Sequence, residues 1–94
     1  MLKGLLLATV AMSVAAVLTP KVAHAADPAF CHAYAEAAVN QVRGALANPR
    51  CAHRIEGTRW APEARAHFEW CLTQPPSAAE AERVARTEFL RGCR

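Results

Sequence analysis

The 94-residue sequence predicts a small all-α protein: a three-helix bundle stapled by two disulfides, following a cleaved signal peptide. Three observations carry this. The N-terminal segment has the order of an export signal. The remainder repeats apolar positions at three- and four-residue steps and shows no strand alternation. Four cysteines sit in a chain too short to rely on its core alone.

The first element is the leader, "MLKGLLLATVAMSVAAVLTPKVAHA". It has a basic start at Lys3, an uncharged, predominantly apolar run from Leu5 to Leu18, and then Ala23-His24-Ala25, the small-residue pattern that a signal peptidase reads. Cleavage after Ala25 is the expectation, giving residues 1–25 as signal peptide and 26–94 as the mature domain. The apolar run is shorter than the roughly 20 residues needed to cross a bilayer, so no stable membrane insertion is expected after cleavage. The implied location is periplasmic or secreted.

The mature part has 69 residues, one domain's worth. At that size a hydrophobic core rarely supplies more than about 3 to 5 kcal/mol, and natural domains add covalent staples.

Helix one is expected from Pro28. Asp27 can cap the first free N–H groups and Pro28 suits the first helical position. Cys31, Tyr34, Ala35, Ala38, Val42, Ala45 and Leu46 form one face, and Asn48-Pro49 ends the helix. Cys51 to Arg59 has no period, contains Gly57, and reads as a loop. Helix two is expected from Pro62 to about Leu72, with Ala64, Phe68 and Cys71 on one face. Helix three follows "TQPPS", with Ser77 and Glu80 as a capping box, Ala81, Val84, Ala85 and Phe89 on the packed side, and Glu82 and Arg86 able to pair one turn apart.

Three helices joined by short connections pack up, down, up. Cys31 and Cys71 then share one end of the bundle, and Cys51 and Cys93 the other. Helix one is about 30 Å long at 1.5 Å per residue, whereas disulfide-bonded cysteines need Cα atoms within about 7 Å. The expected pairs are Cys31 with Cys71 and Cys51 with Cys93.

Charge excludes one class of partner. Lys3 and Lys21 leave with the leader, and the nine arginines that remain face eight acids, a net charge of +1. The arginines are spread along the chain and interleaved with glutamates, the pattern of a mixed solvated surface rather than a nucleic-acid footprint.

Enzymatic and cofactor chemistries find little support. His67 and Cys71 share a helix face and could join Cys31 and His32 around a metal, but Cys31 and His32 are adjacent and point about 100° apart, and an oxidising compartment favours disulfides. There is no C-x-x-C redox pair and no C-x-x-C-H haem attachment. Ser77 is accounted for as a cap, Glu63 and Glu69 face different ways, and His67 near Glu63 reads as a structural hydrogen bond. Neither a metal nor a cofactor is expected. Trp60, Trp70, Phe68 and Tyr34 are expected to supply the core area that alanine-rich helices lack.

The combination of C-x2-Y-A at Cys31 to Ala35, G-x-R-W at Gly57 to Trp60 and H-x2-W-C at His67 to Cys71 resembles a group of short exported proteobacterial proteins of uncharacterised function. The resemblance covers residues 31–71 and implies a periplasmic or secreted helical domain, with no activity attached. The functional expectation is a non-catalytic envelope module, binding or structural, with a protein or wall component as partner. An inhibitor or immunity protein against an envelope-acting enzyme is the alternative. The loop carrying Arg54 and Arg59 is the candidate contact surface.

Overall fold

The computed structural model describes residues 24–94, so the leader and its cleavage motif lie almost entirely outside the described residues. The described chain is helical, in the order α1 (Pro28–Leu46), α2 (Pro49–Ala52), a 3-10 turn (Thr58–Trp60), α3 (Ala64–Cys71) and α4 (Pro76–Cys93). None of these helices is long and apolar enough to cross a membrane.

α1 begins as its sequence requires. Asp27 Oδ1 accepts from the Phe30 N–H at 2.8 Å, which satisfies a donor that the first turn leaves free. Its buried face is Cys31, Tyr34, Ala35, Ala38, Val39, Val42 and Ala45. Leu46, expected on that face, is 55 % exposed, because Ala45 already closes the packed end of the stripe. Asn48 stops α1 and caps α2 by accepting from the Arg50 N–H at 2.9 Å. The stretch expected to be a loop therefore contains a helical turn at each end.

Both later helices start elsewhere than expected. α3 begins at Ala64 rather than Pro62, and the Ala61 carbonyl is engaged by the His67 ring at 2.8 Å instead of opening a helical ladder. α4 begins at Pro76, with no side-chain cap. Two consecutive prolines explain this: Pro75 is held extended at the cap position, Pro76 takes the first helical position, and Ser77 falls two places past the cap. The capping box of Ser77 and Glu80 does not form. Glu80 instead pairs with Arg83.

The packed face of α4 also differs from the expected one. Ala81 is exposed and Val84 is 44 % exposed; the buried residues are Ala79, Arg86 and Cys93. These lie seven residues apart, two helical turns, and so share one face. Cys93 sets the phase, since its disulfide must point inward.

α1 is the central element, with α3 and α4 each packed along it. The disulfides pin this arrangement at both ends, Cys31 to Cys71 with Cα atoms 5.6 Å apart and Cys51 to Cys93 at 5.2 Å. Both pairings are those expected from the antiparallel path, and no cysteine among the described residues is free.

Each disulfide anchors its own apolar cluster. One holds Cys31, Cys71, Tyr34, Ala38, Ala79 and Ala26, with Phe30, Phe68 and Leu72 against it. The other holds Cys51, Cys93, Val42, Ala45 and Trp60, with Ile55, Phe89 and Leu90. Between them lies a polar layer. The Arg86 side chain is completely buried and joins Gln41 and Tyr34 of α1 to the backbone of the 3-10 turn.

Candidate functional site

α3 and α4 flank α1 without packing closely on each other, and the gap between them is a cleft with a volume of about 650 Å3. That size lies in the range of small-ligand sites, roughly 300 to 1,000 Å3. Its α3 wall carries Ala66, His67 and Trp70; its α4 wall carries Glu82 and Arg86. Tyr34 contributes from α1, and the segment from Glu56 to Trp60 closes one end.

Local sequence explains how that end wall is built. Gly57 has φ +90° and ψ 172°, a conformation almost reserved for glycine, and it turns the chain into the 3-10 turn. Trp60 then donates its backbone N–H to the Gly57 carbonyl at 3.1 Å. The Trp60 ring packs into the cluster around Cys51 and Cys93, 4.9 Å from Phe89, and the residue is only 8 % exposed.

Trp70 behaves differently. Although its neighbour Cys71 is fully buried, Trp70 is 36 % exposed, with its ring 5.9 Å from that of Tyr34. The core role expected of it is corrected by this placement: Trp70 leaves an aromatic surface open at the cleft. Sequence periodicity could not show it, because a tryptophan reads the same whether it fills a core or borders a groove.

The polar layer underlies the cleft. Arg86 Nε donates to Gln41 Oε1 at 2.7 Å, Nη1 to the Arg59 carbonyl at 3.1 Å, and Nη2 to Tyr34 Oη at 2.9 Å. Its guanidinium carbon lies 5.2 Å from the Tyr34 ring centroid, an added cation–π contact. No carboxylate forms an ion pair with it among the described residues. The pairing expected between Glu82 and Arg86 gives way to another, because Arg59 reaches Glu82 from the 3-10 turn, with Nε to Oε1 at 2.7 Å and Nη2 to Oε2 at 3.0 Å. This two-pronged bond holds the Glu82 carboxyl below its ordinary range, with Arg86 adding a smaller effect of the same sign.

His67 is buried and its Nε2 lies 2.8 Å from the Ala61 carbonyl, so this nitrogen carries the proton. Burial pushes its pKa below the ordinary histidine value, and the nearby Arg86 charge pushes the same way; the Ala61 bond and Glu63 oppose them. A neutral imidazole at this position orients the start of α3. The metal set considered from the sequence does not come together as ligands, since Cys31 and Cys71 are bonded to each other and the His32 ring is stacked on Phe68 at 4.3 Å.

The two arginines singled out from the sequence part company. Arg59 is at the cleft rim, its side chain 46 % exposed and locked to Glu82. Arg54 lies over the outer face of Phe89, 5.4 Å from the ring centroid, and does not line the cleft. The residues missed from the sequence are Arg86 and Gln41. Counting back seven from Cys93 would have found Arg86 on the buried stripe.

No protein family, curated protein or solved structure matches the chain.

Proposed function

We propose that the protein is a non-catalytic binding module of the bacterial cell envelope, exported by residues 1–25 and contacting its partner through the cleft between α3 and α4. The observation that supports this is the partly exposed Trp70, packed on the buried Tyr34, in the same cleft as the oriented Arg59 side chain, on a frame fixed at both ends by disulfides. A rigid frame reduces the ordering cost of binding, and an exposed aromatic next to arginine is the composition of interface hot spots. The two disulfides and the export signal read from the sequence together favour an oxidising location, periplasmic or extracellular.

The partner in this reading is an envelope protein or wall component. An inhibitor of an envelope-acting enzyme is the case in which that partner is the enzyme. The reading is tested by placing a photocrosslinking amino acid at Ala66, on the cleft wall, and at Ala47, beyond the end of α1, in the cells that make the protein. A crosslinked partner is expected from Ala66 and not from Ala47, and Trp70→Ala should abolish it. Equal capture from both positions would contradict the assignment of the cleft.

A further inference from the structure

We propose that the cleft recognises a small ligand carrying both a carboxylate and a flat apolar group, the carboxylate docking on Arg59 and the flat group against Trp70, which line the same cleft. This rests on the cleft being the contact site. It adds the chemistry of what enters.

Arg59 is prepared for such a ligand. Glu82 holds it by the Nε and Nη2 edge, so the planar group is fixed in orientation while both hydrogens on Nη1 and one on Nη2 make no bond within the described residues. A guanidinium has five N–H donors in a rigid fork, suited to a carboxylate. Because the fork is already oriented, little side-chain freedom remains to be lost on binding.

The charges behind it point the same way. Glu82 is the one carboxylate hydrogen-bonded to a guanidinium at the cleft, while two guanidiniums, Arg59 and Arg86, stand beside it. Arg86 has zero exposure, so its charge is poorly screened and reaches the cleft through a low-dielectric interior. A second carboxylate would balance this group of three. Glu56 also borders the cleft and is exposed like Arg59, but it forms no ion pair among the described residues.

The opposite reading is a cation in an aromatic cage, since Trp60, Trp70 and Tyr34 all contribute to the cleft. The structure disfavours it twice. Tyr34 already has a guanidinium 5.2 Å from its ring centroid, and Trp60 has its ring packed against Phe89 with 8 % exposure. Only Trp70 offers an open aromatic surface, which is enough for a flat group and not for a cage.

The test is a titration of the full mature protein, followed by the two tryptophan indole N–H resonances. The probes are 3-phenylpropionate, its neutral amide and 3-phenylpropylamine, each matched in shape. A short peptide ending in phenylalanine, as free acid and as amide, asks whether the carboxylate comes from a chain end. The acid is expected to shift the Trp70 resonance saturably, with the amide at least tenfold weaker and the amine inactive. If the peptide acid binds more tightly than 3-phenylpropionate, the source is a polypeptide C-terminus; the reverse order assigns a free small acid.

Arg59→Gln should erase the difference between acid and amide, whereas Arg54→Gln, outside the cleft, should keep it. Amide binding equal to the acid, or preference for the amine, would overturn the carboxylate assignment while leaving the cleft as a site. Silence of both indoles to every probe would also overturn it, and crosslinking from Ala66 would then decide the cleft reading separately.

Discussion

Arg86 Nη2 donates to Tyr34 Oη at 2.9 Å, and this bond joins α4 to α1 between two apolar clusters that share no residue. The domain is therefore two small cores, each built around a disulfide, with a polar pin between them. Replacing Arg86 with alanine leaves Gln41 Oε1, the Arg59 carbonyl and Tyr34 Oη without their donor. The expected loss is about 3 kcal/mol or more in urea unfolding, since buried partners of a lost charged group stay desolvated. Tyr34→Phe removes one bond to a charge and should cost about 1.5 to 3 kcal/mol. The two effects should fail to add in a double-mutant cycle; additive losses would mean the pin is not a unit.

His67 sets a dependence on pH. Its pKa in the folded protein is depressed by burial first and by Arg86 second, against the Ala61 hydrogen bond and Glu63; Tyr34 packs near it edge-on, with centroids 6.3 Å apart. Below the unfolded value of about 6.5 the unfolded chain takes up the proton more readily than the fold, so stability declines as pH falls through that value and towards the lower folded pKa. His67→Gln keeps a donor for the Ala61 carbonyl and does not titrate. Its unfolding free energy should be flatter between pH 7 and 5 than that of the wild type, and an unchanged slope would place the titration elsewhere.

Both disulfides close long loops, with sequence separations of 40 and 42 residues. By the chain-entropy argument each contributes about 4 kcal/mol, comparable to what a core of this size supplies by itself. Replacing either pair by serines should lower the melting temperature sharply, and replacing both should leave the chain unfolded by circular dichroism. Retention of full helicity without both pairs would show that the two clusters suffice.

Gly57 places the end wall of the cleft. A Cβ added there would meet nothing within 4 Å, so any effect of Gly57→Ala comes from its backbone at φ +90°. The cost should be about 1 to 3 kcal/mol, with the Trp60 resonance displaced. A neutral substitution would mean that the turn adopts another path without penalty.

Sequence periodicity was a good guide where side chains were apolar and a poor one where they were not. α1 shows its face through alanine, valine and tyrosine, and the disulfide pairs follow from helix direction and length alone. In α4 the buried stripe runs through Arg86, and a charged residue reads as solvated unless something fixes the helix phase. Cys93 supplies that phase, and Ala79 and Arg86 follow from it at steps of seven. The Arg59–Glu82 bond spans 23 residues, beyond the reach of any pattern within one helix. Trp70's exposure arises because α3 and α4 stand apart, a feature of packing rather than of local sequence.

The proposed export of the disulfide-stapled frame is tested most directly by non-reducing peptide mapping of the protein recovered from the cells that make it. Ala26 is 5 % exposed and its backbone nitrogen donates to the Gln74 carbonyl at 2.8 Å, while His24 and Ala25 are exposed, so the packed body begins where cleavage is expected. The expected map has a mature N-terminus at Ala26, Cys31 joined to Cys71, and Cys51 joined to Cys93. A retained leader together with free thiols at these four cysteines would contradict the account of an exported module held by two disulfides.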